Sequence, residues 1–463
     1  MRSNKSLKSG VSHYDCVELS MAYGAEQSRR PKAEHDDVFD ALESSVQNYA
    51  RSFPGMFQTA RGCHIWDRDG KKYIDFLSGA GALNYGHNHP ALKQALIDYI
   101  SADGIAHSLD LHTAAKERFL IALRDCILQP RGLDYRIQFT GPTGTNAVEA
   151  AFKLARLVTG RSTIISFTNA FHGVSHGALA ATGSRHHRAA AGLPLTGTHV
   201  MPFEGYLGED GDTLAYLEQL IGDPSGGLDH PAAVIVETVQ GEGGVRAASR
   251  AWLQGLAALC RRHEILLIVD DVQAGCGRTG SFFSFEEAGI TPDIVTLSKS
   301  LSGYGLPLAV VLLRPGLDVW KPGQHNGTFR GNNHAFVTAA AALETFWQTT
   351  AFTARVRRTA GHLDARLAAI AETFFPQVTG LRGRGMMRGI LCADPDFAAR
   401  AAARAFAAGL IVERSGPHDE VIKLLPPLTI KKAELDQALD ILHTAIAEEA
   451  QAAPPVRQIH PSR

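Results

Sequence analysis

The run Glu264-Ile-Leu-Leu-Ile-Val-Asp-Asp271 and the following Thr296-Leu-Ser-Lys-Ser-Leu-Ser-Gly-Tyr-Gly305 decide the fold of this chain. An uninterrupted apolar run closing on two carboxylates reads as a strand buried in a sheet. The separation between Asp270 and Lys299 is about one further strand–helix unit, which brings the next strand's end beside the first. Outward from this pair, short apolar runs at Arg136–Phe139, Ser162–Phe167, Ala232–Glu237, Ile294–Leu297 and Leu308–Leu313 alternate with helical stretches such as Ala91–Ser101 and Thr113–Leu128. That alternation predicts an α/β architecture with a central, mostly parallel sheet.

The flanks differ. Residues 1–37 carry mixed charge and few large apolar residues, and read as a disordered extension, as does the tail 451–463. Helical spacing runs over Phe39–Tyr49, and Cys63–Asp67 and Lys72–Phe76 flank the turn Arg68-Asp-Gly-Lys71 as a hairpin. From Phe346 the pattern changes to Ala-rich helices over Val356–Ala371, Phe397–Ala408 and Lys432–Ala450, with strand candidates at 380–389 and Val421–Leu425. The expected organisation is a large domain over 96–345 and a smaller α+β domain built from 346–450 with the segment 38–95.

Composition excludes several classes. The chain has 463 residues, 46 Lys plus Arg against 47 Asp plus Glu, and a formal net charge of −1. Nothing in that balance attracts nucleic acid or an anionic membrane, so the expected partner is a small molecule. The six cysteines include no CxxC pair, which fits a reducing, cytoplasmic compartment. No signal-peptide core or membrane-length apolar stretch occurs.

The chemistry lies at the strand ends. A lysine among small residues can form a Schiff base with an aldehyde, and a carboxylate facing a pyridine nitrogen keeps that ring protonated and electron-accepting. Lys299 and Asp270 match those roles and point to pyridoxal phosphate. Alternation along the strand puts Val272 on Asp270's side, against a ring face, turns Asp271 away, and leaves Gln273 able to reach a ring hydroxyl. Asn169-Ala-Phe-His-Gly173 follows another strand, where Phe171 could stack on the opposite face. In Thr140-Gly-Pro-Thr-Gly-Thr-Asn146 the backbone at Gly144 and Thr145 opens a helix and could hold a phosphate. Taken singly, that turn is equally an ordinary strand-to-helix connection, Phe171 a core aromatic, Asp270 a helix cap and Lys299 a surface lysine. His172 and His176 lack the glutamate of a zinc-binding helix and read as non-metal.

Together, Pro142-Thr-Gly-Thr145, Phe171-His-Gly173, Glu237-Thr-Val-Gln-Gly-Glu-Gly-Gly244, Asp270-Asp-Val-Gln273, Gly277-Arg-Thr-Gly280 and Ser298-Lys299 resemble the class III, ω-type, pyridoxal phosphate aminotransferases of fold type I. Segments 79–87, 104–110, 139–149 and 325–333 resemble the ectoine-pathway group of that family. The resemblance implies that Lys299 binds the cofactor and shuttles the proton, Asp270 pairs with the ring nitrogen, Phe171 and Val272 sandwich the ring, and Gln273 lies near its hydroxyl. It places His172 and Glu237 at the cofactor, gives Glu242 a gating role, and puts Lys423 at a substrate α-carboxylate, where many relatives carry arginine. Tyr85 falls in the substrate-side loop. Thr328 matches a threonine lent to the phosphate of a neighbouring subunit, which implies a homodimer, or a dimer of dimers, with shared sites. The implied reaction is ping-pong amino transfer from glutamate to the terminal carbon of aspartate 4-semialdehyde, giving L-2,4-diaminobutyrate. Rival readings are amino transfer with 4-aminobutyrate, ornithine or lysine, an aminomutase, and a catalytically silent member of the fold.

Overall fold

The computed structural model describes residues 36–452. The expectations for residues 1–35 and 453–463 lie outside the described residues. The chain divides into two compact units that part between Pro54 and Gly55.

In the first unit the helical spacing of Phe39–Tyr49 yields two short helices, Asp36–Leu42 and Tyr49–Ser52, rather than one. The break falls at Ser44-Ser45, where the Ser44 hydroxyl takes the Val46 N–H at 3.4 Å. A serine side chain that bonds its own backbone competes with the helix ladder.

The centre of the second unit is a seven-stranded sheet. Its strands are β1 (Arg136–Phe139), β2 (Ile164–Phe167), β3 (Thr198–Met201), β4 (Ala233–Val236), β5 (Leu266–Asp270), β6 (Ile294–Leu297) and β7 (Val310–Leu313). The spatial order is β1-β7-β6-β5-β4-β2-β3. Neighbours from β6 to β3 run parallel, whereas β7 is antiparallel to both β6 and β1. Strands β2 and β4 to β7 are buried along their whole length, as apolar runs covered on both faces require. The sequence reading placed six of these strands and omitted β3, Thr-His-Val-Met, of which only Met201 is buried. An edge strand of that kind carries no apolar run to detect.

Because β1 runs with β6, the loops after β1, β2, β4, β5 and β6 leave the sheet at one edge, where ligands collect in such folds. Parallel pairing of β5 with β6 sets Asp270 opposite Thr296, and Lys299 begins the turn that follows β6.

Two four-stranded sheets lie outside this layer. The hairpin His64–Asp67/Lys72–Asp75 forms as expected, its turn closed by Asp67 Oδ1, which accepts the N–H groups of Asp69 (3.1 Å) and Lys71 (2.8 Å). Phe57–Arg61 joins one edge and Leu410–Ile411 the other, so segments far apart in sequence share this sheet. The second contains the hairpin Val378–Arg384/Met387–Cys392, then Val421–Leu424, then Glu413–Ser415. Helices Ala351–Thr373, Pro395–Ala407 and Lys432–Ala452 accompany it. Among the described residues no helix is long and apolar enough to cross a membrane.

Candidate active site

Lys299 opens a short 3₁₀ turn, Lys299–Ser302, with a left-handed φ of 47°. A non-glycine residue in that region costs roughly 1 kcal/mol, so the surroundings must hold it there. They do so through the loop Ser78–Gly86. The Ser300 hydroxyl donates to Gly81 O (2.7 Å) and accepts the Asn84 N–H (3.0 Å), while Lys299 Nζ donates to Ala80 O (2.9 Å). Burial lowers the affinity of the Lys299 amine for a proton; Glu242 opposes that shift and the Lys423 ammonium adds to it.

Asp270, 4 % exposed, ends β5 with both oxygens engaged. Oδ2 accepts from His172 Nδ1 at 2.7 Å, and Oδ1 accepts the Thr296 hydroxyl at 3.0 Å and the Val272 N–H at 3.2 Å. Burial works against a charged His172, but Asp270 and then Glu237 outweigh it and raise its proton affinity. Its other nitrogen, Nε2, is buried without a partner. Glu237 accepts the Phe171 N–H at 2.9 Å, and burial, opposed by His172, pushes its carboxyl up to about 7. Asp271 points elsewhere, as alternation requires: Oδ2 takes the Ser284 N–H at 3.0 Å, and burial raises the carboxyl to about 7.

The helix Gly144–Thr159 begins beside these groups. The N–H groups of Gly144 and Thr145 have no carbonyl one turn back to take them, which leaves them for an anion. A Cβ on Gly144 would meet Val272 Cγ1 at 2.9 Å, so the strand-end valine and the helix start leave no room for a side chain. The Thr145 hydroxyl pairs with Ser175 Oγ at 2.5 Å, and Glu149 gathers the Ser175 hydroxyl with the N–H groups of Gly177 and Ala178.

Gln273 Nε2 donates to Ala80 O (3.0 Å) and to Glu242 Oε1 (3.1 Å). Glu242 Oε1 also accepts from Lys423 Nζ at 2.7 Å, and Lys423, fully buried, reaches Glu413 Oε2 at 2.9 Å. Burial disfavours the Glu242 charge, but the Lys423 ammonium above all, with Lys299 and the Gln273 hydrogen bond, holds its carboxyl down at about 2. Lys423 is raised above its ordinary value because Glu242 and Glu413 overcome the effect of burial.

The structure thus brings together Lys299, Asp270, His172, Phe171, Glu237, Val272, Gln273, Glu242, Lys423, Gly144 and Thr145. Two expected residues stand apart. Tyr85 is 2 % exposed, stacks on Phe346 at 4.6 Å and accepts the Trp347 indole N–H at 2.8 Å, so its ring braces the core beneath its loop instead of lining the cavity. Thr328 is exposed, and its carbonyl accepts from His107 Nε2 at 2.7 Å. The sequence reading missed Ala80 as the acceptor for Lys299, the His172–Asp270 bond and Glu413. Ala80 acts through its backbone and left no signal; Glu413 could have been found by pairing the strands on either side of Gly416. Among the described residues one further group could gather a cation, Cys63, His64 and Glu434; burial and Glu434 push the Cys63 thiol up to about 12.

The family model "Aminotransferase class-III" matches residues 46–446. A diaminobutyrate–2-oxoglutarate transaminase of Nocardia farcinica is 59 % identical over 410 residues, 89 % of this chain and 94 % of that protein. One of Bordetella parapertussis is 55 % identical over 423 residues, 91 % of this chain and 97 % of that protein. Among solved structures, the ornithine aminotransferase of Toxoplasma gondii, crystallised with oxidised glutathione and showing partial occupancy of PLP at its active site, superimposes with a TM-score of 0.78 at 26 % identity. That likeness covers 91 % of this chain and 96 % of the other.

Proposed function

Since the chain belongs to the class-III aminotransferases, we propose that it moves the amino group of L-glutamate to the terminal carbon of L-aspartate 4-semialdehyde. The products are 2-oxoglutarate and L-2,4-diaminobutyrate. The observation that carries this choice of substrates is the likeness, over most of the chain, to diaminobutyrate–2-oxoglutarate transaminases.

Pyridoxal 5'-phosphate is the cofactor, and the site fits it. Next to Asp270 a buried nitrogen, His172 Nε2, lacks a partner, and Gly144 keeps the helix start open where a side chain would collide with Val272. When bound, the cofactor supplies an aldehyde that condenses with amines and a protonated ring that absorbs electrons. Lys299 would hold it covalently, Asp270, oriented by His172 and Thr296, would face the ring nitrogen, and Phe171 and Val272 would flank the ring. Gln273 would serve the ring hydroxyl, Gly144 and Thr145 the phosphate, and Glu237 would brace the loop bearing Phe171.

Lys299 acts as the base. Burial favours its neutral amine, which can take the proton from the carbon carrying the substrate's amino group and later return one. Lys423 binds substrate carboxylate, and Glu242 releases or takes back Lys423 as the two amino-acid substrates alternate. A homodimer, or a dimer of such dimers, in which Thr328 serves the phosphate of a second copy accounts for a threonine exposed on its own chain. Cys63, Cys126, Cys260, Cys276 and Cys392 are free thiols, which supports a cytoplasmic location.

The test is to give the PLP-loaded protein L-glutamate labelled with ¹⁵N together with aspartate 4-semialdehyde. The label should appear at N4 of diaminobutyrate, one equivalent per 2-oxoglutarate formed. Glutamate consumption without labelled diaminobutyrate would overturn this reading.

A further inference from the structure

We propose that Asp75 is a positioning residue for Lys299: it clamps both ends of the loop 77–87 and so locks a left-handed turn whose Ala80 carbonyl aims the lysine amine. The assignment rests on the reading of Lys299 as the base and adds what aims that base.

The turn is unusual backbone. Ser78, Gly79, Ala80 and Gly81 follow one another with φ of 48°, 59°, 54° and 86°. Glycine adopts such angles freely, but Ser78 and Ala80 carry a Cβ that crowds the following carbonyl, and left-handed residues normally occur singly. The turn closes from Ala82 N–H to Gly79 O at 3.1 Å and from Leu83 N–H to Ser78 O at 3.0 Å. Backbone of this kind persists only where its surroundings over-determine it.

Asp75 supplies that restraint. It ends the strand Lys72–Asp75 and is 2 % exposed. Its Oδ1 accepts the N–H groups of Leu77 at 2.8 Å and Ser78 at 2.9 Å, which fixes the entry to the loop. Its Oδ2 accepts from His87 Nε2 at 2.7 Å, which fixes the exit. The His87 backbone is itself paired with Gly62 in both directions at 2.8 Å. One buried side chain thus holds both ends, and the Ser78 hydroxyl adds an anchor by donating to Leu425 O at 2.7 Å.

What the loop delivers is a pair of carbonyls. Ala80 O accepts Lys299 Nζ at 2.9 Å and Gln273 Nε2 at 3.0 Å, and Gly81 O accepts the Ser300 hydroxyl at 2.7 Å. A right-handed turn over the same residues would rotate these peptide planes and aim the carbonyls elsewhere. A neutral amine that donates an N–H to Ala80 O has its lone pair directed away from that oxygen, free to take a proton from substrate. The carbonyl carries no net charge, so it directs the amine without binding its proton as a carboxylate would.

The experiment reads two rate constants in the full-length protein carrying Asp75→Ala. Adding pyridoxal phosphate to the cofactor-free protein, followed by absorbance, reports how fast Lys299 captures the aldehyde. A single half-reaction with glutamate reports the proton transfer. Both rate constants should fall about tenfold or more, as expected for a misaimed group, while the glutamate concentration at half-saturation stays within about twofold. Adding Ala80→Gly to Asp75→Ala should restore part of both rates, because glycine takes the left-handed angle without penalty. Wild-type rates with a lowered melting temperature, or a change confined to half-saturation, would overturn the inference and leave Asp75 as a brace of the fold. Should Asp75→Ala fail to fold, His87→Leu releases one end only and should slow both rates by a smaller factor; unchanged rates there count against the inference. A wild-type protein that performs no half-reaction with glutamate would instead overturn the functional reading, while the capture rate still decides on Asp75.

Discussion

The two walls of the active site are built differently. The wall of Lys299, Asp270 and His172 consists of residues at or just beyond the ends of β6, β5 and β2, all on the same edge of the sheet. The wall of Glu242, Glu413 and Lys423 joins a glycine-rich turn after the central sheet to two paired strands of the C-terminal sheet. The first is a product of local strand geometry, and a fold of this kind can present the same chemistry in many enzymes. The second exists only where distant segments meet, so it can change without disturbing the first. On the roles proposed above, generic chemistry and substrate choice are separated in space.

The sharpest way to break that contrast is at Lys299. Lys299→Ala should leave a folded protein whose turnover falls by about 10⁴-fold, the upper end of what one positioned acid–base group contributes. Thermal melting confirms the fold and product assay gives the rate; turnover near wild type would deny the lysine its role.

The second wall should fail through stability. Lys423→Met leaves two carboxylates facing each other without their shared ammonium, and removing one partner from a buried ion group costs roughly 3–5 kcal/mol. Urea unfolding of the cofactor-free protein should show that loss, and a cost under about 1 kcal/mol would mean that water already screens the group.

The smallest effect concerns the sheet wall and its dependence on pH. Burial pushes the Asp271 carboxyl up to about 7 from an ordinary 3.8, and that of Glu237 up to about 7 from 4.5. Between those limits the folded state keeps protons that the unfolded chain has released, so stability decreases as pH rises toward 7. Asp271→Asn cannot titrate and should remove on the order of 2 kcal/mol of that decrease between pH 5 and 8. An identical pH slope in the variant would show that Asp271 is ionised throughout.

Legibility in the sequence follows the same division. Strands β5 and β6 were readable because burial on both faces demands unbroken apolar runs, and Asp270 and Lys299 stand out as charges at their ends. The antiparallel direction of β7 was not readable, since Val310–Leu313 carries the same apolar signal whichever way it runs. Phe39–Tyr49 misled for a local reason, the side-chain bonding of Ser44. Tyr85 misled for a distant one: its phenol finds Trp347, 262 residues further on.

The sequence by itself determined the α/β class, the strand ends at which Lys299 and Asp270 stand, and the helix start at Gly144. Those features arise from periodicity and from residues adjacent in the chain. Only the tertiary structure decided that His172 orients Asp270, that Ala80 receives the Lys299 amine, and that Glu413 and Glu242 share Lys423. Each of these depends on the distance between groups far apart in sequence, and that distance is set by packing and strand register.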